Sequence, residues 1–107
     1  MTINVRKKGH TFERKFCEYL RIYGYEAVTS RSESRRLDDA GVDIVDNTPF
    51  YFQLKAVERM AKSYHKILKD MPTDKVPVVI HKKKNEGTIV AMRLEDFANL
   101  LLYKDEH

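Results

Sequence analysis

Three side chains of the kinds that bind metal ions and phosphate lie close together in the sequence. Asp43 belongs to a short apolar segment, residues 41–45, and Gln53 and Lys55 belong to a second one, residues 51–55. Side chains alternate between the two faces of a strand, so Gln53 and Lys55 share a face. If the two segments are adjacent strands, then a carboxylate, an amide oxygen and an ammonium group meet at one end of a small sheet.

These residue types suit the hydrolysis of a phosphodiester. Mg²⁺ takes oxygen ligands, and Asp43 offers a charged oxygen, Gln53 a neutral one and the backbone carbonyl of Leu54 a third. Lys55 would stabilise the negative charge of the reacting phosphate or orient the attacking water. The structural alternative is that Asp43 opens a turn while Gln53 and Lys55 lie on a solvated sheet face. The spacing alone leaves both interpretations open.

A helix is expected to position a fourth polar residue, Glu13. Residues 9–24 have apolar side chains at helical spacing, with Thr11 as the predicted N-cap and Gly24 as the predicted C-terminal stop. The apolar stripe consists of Phe12, Phe16, Tyr19, Leu20 and Tyr23. Glu13 lies at the border of this stripe, so it faces either the edge of the core or solvent.

Periodicity and turn residues predict one α/β domain in the order helix, three strands, helix, two strands, helix, around a central mixed sheet. The last helix is expected to turn Leu94, Phe97, Leu101 and either Leu100 or Ala98 inward. After the first helix, the elements are a strand over 25–30, a loop over 31–40, strands over 41–45 and 50–56, a helix over 57–71 ended by Pro72, strands over 76–81 and 88–93, and a helix over about 94–104.

The charge distribution is compatible with a polyanionic partner. The chain has 20 basic and 16 acidic side chains, a net charge of +4. Residues 59–84 carry eight basic and two acidic side chains, whereas residues 41–58 carry one and three. An acidic centre flanked by basic segments suits a metal-dependent enzyme that acts on nucleic acid. A solvated lysine-rich surface is the alternative.

Several other classes of protein are disfavoured. The glycines form no phosphate-binding loop, no nucleophile elbow is present, and the histidines lack metal-ligand spacing. The single Cys17 excludes an intramolecular disulfide and fits a reducing compartment. The chain has no apolar run of membrane-spanning length and no signal-peptide pattern. We therefore expect a cytoplasmic protein with no membrane partner.

The element order and three short motifs resemble the PD-(D/E)XK nuclease superfamily, which has a restriction-endonuclease-like core. The motifs are Gly9-x(3)-Glu13, Gly41-Val-Asp43 and Gln53-Leu-Lys55. Within this superfamily the likeness is to archaeal-type Holliday-junction resolvases, including phage-encoded relatives, and it covers essentially the whole chain. The motifs depart from the family pattern at two positions. Val42 replaces the proline of the first motif, and Gln53 replaces an acidic residue.

The resemblance implies an endonuclease that cuts four-way DNA junctions as a homodimer with Mg²⁺ or Mn²⁺. It implies metal ligation by Glu13, Asp43 and position 53, and catalysis by Lys55. Since Gln53 carries no charge, metal binding is expected to be weaker than with an acidic residue at this position. Asp38, Asp39 or Asp46 are candidates to supply the missing negative charge. DNA contacts are expected in the N-terminal segment and in the loop after the first strand: Arg6, Lys7, Lys8, Arg31, Ser32, Ser34, Arg35 and Arg36.

Two further readings stay open. One is a DNA-binding relative of the same fold with little or no catalytic activity, and the other is a nuclease of the same superfamily that cuts other duplex DNA. The dimer surface is expected around Tyr51, Tyr64 or the last helix.

Overall fold

A computed structural model describes the backbone of residues 5–106 and the side chains of residues 6–102. The predicted order of helices and strands is confirmed, with two short helices added after the first strand. The elements are α1 (Val5–Ile22), β1 (Ala27–Thr29), α2 (Ser30–Glu33), α3 (Arg35–Asp39), β2 (Ile44–Asp46), β3 (Phe50–Lys55), α4 (Tyr64–Asp70), β4 (Val76–Lys83), β5 (Gly87–Ala91) and α5 (Leu94–Glu106).

The strands form a mixed sheet and a separate antiparallel pair. In the mixed sheet, β4 lies in the centre, parallel to β3 and antiparallel to β5. The pair consists of β1 and β2. The backbone N–H of Asp43 donates to the carbonyl of Phe52 at 2.8 Å, so the chain just before β2 lies against β3. The two segments of the candidate site are therefore adjacent, although they do not belong to one sheet.

The strand β3 has an apolar core on each face. Phe52 and Leu54 pack in one buried cluster with Cys17 of α1, and Tyr51 packs in the other with Val42 and Ile67. The expected alternation along β3 is confirmed. Gln53 and Lys55 follow Tyr51 on its face but are only half-buried, because the second core covers the Tyr51 end of that face.

The first helix begins earlier than predicted. Thr11 is not the N-cap, since it lies inside α1 and its hydroxyl donates to the carbonyl of Lys7 at 2.9 Å. The predicted stop at Gly24 is confirmed. Gly24 has φ of +90°, which glycine adopts without a steric cost, and its N–H donates to the carbonyl of Arg21. None of the described helices has the length and apolar character needed to cross a membrane.

The predicted loop over residues 31–40 is wrong, because most of it is helical. Ser34 ends α2 and begins α3, and its hydroxyl oxygen accepts a hydrogen bond from the N–H of Leu37 at 3.3 Å. The buried Leu37 fixes α3 against the core. Helices this short leave no periodicity to detect, so the sequence pattern did not reveal them.

The predicted helix over residues 57–71 is wrong in its first half. α4 begins only at Tyr64, where the hydroxyl oxygen of Ser63 caps the N–H of Lys66 at 3.1 Å. The preceding segment is held to β4 instead, since the carbonyl of Val57 bonds to the ring of His81 at 2.7 Å. That contact comes from a residue 24 positions away, which helical spacing does not report.

The predicted inward face of the last helix is also wrong. Leu94, Phe97, Leu100 and Leu101 are all exposed, with 81% of Leu94 accessible to solvent, and Ala98 is exposed too. The apolar spacing that predicted a core face instead leaves an apolar helix surface in the single chain.

We expect Ile44→Ala and Leu94→Ala to have very different effects on stability. Ile44 is almost fully buried, so its truncation leaves a cavity and should cost about 2–5 kcal/mol of the free energy of unfolding. Leu94→Ala should cost less than about 0.5 kcal/mol. Urea denaturation of dilute protein measures both. Equal losses would show that Leu94 is buried in the folded chain, contrary to the structure.

Candidate functional site

The Asp43 carboxylate bonds directly to the backbone of β3. Its Oδ2 accepts a hydrogen bond from the N–H of Leu54 at 2.7 Å. Leu54 lies between Gln53 and Lys55, so the bond places the carboxylate beside the segment that carries both side chains. The Lys55 ammonium group is also near enough to affect the pKa of Asp43.

Gly41 and Val42 fix the approach of Asp43 to β3. Gly41 has φ of +82°, a conformation that favours glycine, and a Cβ there would lie 3.4 Å from Oε1 of Gln53. The Gln53 amide oxygen therefore lies close against the Gly41 backbone. Val42 is fully buried, which anchors the residue before Asp43 in the core.

Ser30 holds the same stretch from the opposite side. Its hydroxyl donates to the carbonyl of Val42 at 2.6 Å, and its N–H donates to the carbonyl of Asp43 at 2.9 Å. Ser30 is fully buried. The sequence pattern does not predict this role, because the partners of Ser30 lie twelve and thirteen residues away and no local spacing links them.

Burial raises the pKa of Asp43 to about 7 from its usual 3.8. Loss of hydration disfavours the carboxylate, and the nearby negative charge of Glu13 adds to the effect. The Leu54 N–H and the positive charge of Lys55 act in the opposite direction. A buried acid with a pKa near neutrality beside a lysine is typical of a functional site.

Glu13 lies at the edge of the core, as one of the two sequence readings allowed. Its side chain is only 15% exposed and its Oε1 accepts a hydrogen bond from Nε of Arg31 at 3.2 Å. Arg31, expected at the DNA surface, therefore pairs with an acid of the candidate site. Glu13 is close enough to Asp43 to raise the pKa of that residue.

A cavity of about 400 Å³ opens next to the strand end. Gly41, Gln53 and Lys55 line it, together with residues of the segment 57–62. Asp39 also lines this cavity. A small anionic group would have access there to the amide of Gln53 and the ammonium group of Lys55.

The other expected DNA-binding residues lie in several environments. Arg6, Lys7 and Lys8 are exposed at the start of α1, and the two lysines line a groove with Lys15 and Lys82. Arg35 and Arg36 are exposed on α3, and Arg35 pairs with Asp39 at 3.7 Å.

The two serines expected near DNA make local contacts. Ser32 bonds through its hydroxyl to the carbonyl of Thr29 at 3.0 Å, and Ser34 caps α3. These contacts stabilise the segment that contains α2 and the start of α3. Contact of either serine with DNA stays a prediction.

Of the three acids considered as substitutes for a charge at position 53, Asp46 is bound elsewhere. Its carboxylate accepts hydrogen bonds from the N–H of Thr48 at 2.8 Å and from Nζ of Lys75 at 3.3 Å. Asp39 lines the cavity, and Asp38 contributes to the raised pKa of Asp43.

Within residues whose side chains are described, no three His, Cys, Asp or Glu side chains are grouped so that they could hold a metal ion. The candidate site instead offers two carboxylates and an amide oxygen. Comparisons with protein-family models, with curated proteins and with solved structures find no match for this chain.

Asp43→Asn should stabilise the metal-free protein at high pH. The folded state binds a proton at Asp43 up to a pH of about 7, whereas the unfolded state releases it near 3.8, so wild-type stability falls as pH rises between these values. A pKa raised from 3.8 to about 7 corresponds to roughly 4 kcal/mol. Asparagine avoids this cost and still accepts a hydrogen bond from Leu54.

The measurement is urea denaturation of both proteins in EDTA at pH 3.5, 5.5 and 8.5. The stability advantage of Asp43→Asn should be greatest at pH 8.5 and small at pH 3.5. An advantage that does not change with pH would contradict the burial of an ionisable Asp43.

Proposed function

We propose that this protein is a metal-dependent DNA endonuclease that hydrolyses phosphodiester bonds, with branched DNA such as four-way junctions as its substrate. The observation that carries the proposal is the bond between Asp43 and the N–H of Leu54. It holds a carboxylate of raised pKa against the β3 backbone between Gln53 and Lys55, the two residues of the strand whose side chains line a cavity. The motif resemblance to junction resolvases supplies the substrate class.

The donor atoms of the site fit a hard divalent cation. Asp43 and Glu13 each use one carboxylate oxygen in a hydrogen bond, at Leu54 and Arg31 respectively, and each retains a second oxygen. The Oε1 atom of Gln53 is a neutral oxygen ligand, and the Leu54 carbonyl is a further candidate. Mg²⁺ and Mn²⁺ prefer such oxygens. When bound, the cation would supply Lewis-acid activation and neutralise negative charge.

The side chains themselves have separate roles in this proposal. Leu54 holds Asp43 in place through its N–H, so the carboxylate needs no rearrangement to meet a ligand. Lys55 donates to a non-bridging oxygen of the scissile phosphate and stabilises its developing charge. Arg31 neutralises Glu13 until a cation competes for that carboxylate.

A homodimer is part of the proposal, because symmetrical cutting of a four-way junction requires two sites. The exposed apolar residues of β5 and α5 supply a surface on which two copies would pack, among them Ile89, Val90 and Phe97. The neighbouring basic groove, lined by Lys7, Lys8, Lys15 and Lys82, would contact the DNA backbone.

A DNA-binding module without catalysis is the second candidate. Two features favour this candidate. Glu13 forms an ion pair with Arg31, and Gln53 has no charge. Of the proposed metal ligands, Asp43 is then the one carboxylate that forms no ion pair with a basic side chain whose position is described. Such a module would bind branched DNA and cut nothing. A nuclease that acts on linear duplex DNA instead would differ only in which substrate is cut.

Asp43→Ala and Lys55→Ala should each lower junction cleavage by at least about a hundred-fold, because each removes a group that acts on the reacting phosphate. DNA binding should persist in both variants. The assay follows cleavage of a synthetic four-way junction in Mg²⁺ or Mn²⁺ on a gel, with nicked and linear duplexes as comparison substrates.

Lys69→Ala is the matched control, since it removes one exposed positive charge from α4 and Lys69 does not line the cavity. Paired cuts in opposed strands would support the dimer. Normal cleavage by both site variants would show that the active site lies elsewhere. Binding by wild-type protein with no cleavage of any substrate would favour the non-catalytic module.

Gln53→Glu should remain active and require less Mg²⁺ for half-maximal cleavage. A carboxylate at position 53 adds a charged ligand beside Asp43, which raises the affinity for the cation. Gln53→Ala is the comparison variant and should require more. A magnesium titration of the cleavage rate measures the effect. A Gln53→Glu variant that needs more Mg²⁺ than wild type would contradict a ligand role for this residue.

A further inference from the structure

The segment between β3 and α4 is tied to the β4–β5 hairpin at two consecutive residues. The carbonyl of Val57 bonds to Nε2 of His81 at 2.7 Å, and Oε1 of Glu58 accepts a hydrogen bond from the N–H of Lys84 at 3.0 Å. Both anchors lie immediately before Arg59. The backbone position of Arg59 is therefore constrained by β4 and by the turn that follows β4.

The anchor at His81 uses both ring nitrogens. His81 is buried, and its Nδ1 lies 2.7 Å from the hydroxyl of Tyr64. The carbonyl of Val57 can only accept, so Nε2 carries a hydrogen and donates to it, while Nδ1 shares a hydrogen bond with the Tyr64 hydroxyl. Tyr64 begins α4, so this pair of hydrogen bonds joins both ends of the segment to the same strand.

Arg59 is the exposed cation that this arrangement presents to the candidate site. It lines the 400 Å³ cavity together with Gln53 and Lys55. Lys62, in the same segment, lies 4.0 Å from the carboxylate of Asp70. Arg59 makes no ion pair with any residue whose side chain the structure describes. Its guanidinium is therefore available to an anion that enters the cavity.

We propose that Arg59 binds a backbone phosphate of the DNA strand that occupies this cavity, and that the His81–Tyr64 pair positions it. This inference rests on the proposed function. A guanidinium donates two parallel N–H bonds to two oxygens of a phosphate. Because the protein backbone next to Arg59 is already held in place, less conformational entropy is lost when the phosphate binds. Arg59 thereby joins Lys55, which lines the same cavity, in holding the strand.

The experiment measures DNA binding apart from cleavage. In an Asp43→Asn background, which keeps an acceptor for the Leu54 N–H, the dissociation constant for a synthetic four-way junction is determined in EDTA by fluorescence anisotropy from 50 to 200 mM salt. Arg59→Ala should weaken binding about five- to ten-fold at the lowest salt and reduce the slope of log K against log salt by about one, as expected for one lost phosphate contact. Arg59→Lys should fall between Arg59→Ala and the parent.

Lys69→Ala is again the control, because it removes the same charge from an exposed position outside the cavity lining. Its effect should be less than two-fold. If Arg59→Ala lowers the affinity for DNA and the slope of log K against log salt no more than Lys69→Ala does, the assignment of Arg59 is overturned. In that case, cleavage by wild-type protein would leave the proposed function standing. Absence of both binding and cleavage in the wild type would overturn the proposed function together with this inference.

Tyr64→Phe tests the positioning role. It removes the hydroxyl that bonds to His81 and leaves the aromatic ring in the core, and urea denaturation confirms that the variant is folded. The substitution should weaken DNA binding about three-fold when Arg59 is present and have no effect in Arg59→Ala, so the two effects are not additive. Independent, additive effects would overturn the positioning of Arg59 by this pair.

Discussion

One hydrogen bond between a side chain and a strand backbone, from the N–H of Leu54 to the Asp43 carboxylate, connects the two sheets at the candidate site. β1 and β2 form one sheet and β3–β5 another, so no continuous ladder joins them. Asp43 joins them instead, through its carboxylate to Leu54 and through its own N–H to Phe52. Consequently, the residue proposed to act in catalysis also helps to hold the two sheets together, alongside the buried cluster that both share.

This arrangement explains why the open end of β3 carries the polar side chains. Tyr51, at the start of the strand, is covered by the second core and donates to Asp74 through its hydroxyl at 2.8 Å. Gln53 and Lys55 point to the same face, but α4 begins late and leaves a cavity above them. The short α4 is therefore a condition for access to the site.

The local pattern predicted β3 and the end of α1 well, because alternation and helix-ending glycines depend on the residues nearest in sequence. The errors have a common cause in distant partners. Val57 leaves the expected helix because His81 binds its carbonyl, and Ser30 supports Asp43 through bonds across twelve or more residues. For Leu94 on α5, apolar spacing described a helix face correctly, but spacing contains no information about what covers that face.

The charges of the candidate site are balanced without a cation. This balance explains why an uncharged residue, and not an acidic one, stands at position 53. Arg31 pairs with Glu13, Lys55 offsets part of the cost at Asp43, and burial keeps Asp43 largely protonated below a pH of about 7. A glutamate at position 53 would add a negative charge beside this carboxylate and raise its pKa further. Glutamine retains an oxygen ligand without that repulsion. In the proposed metal site, glutamine would therefore lower the affinity for a cation and make the site easier to maintain when no cation is bound.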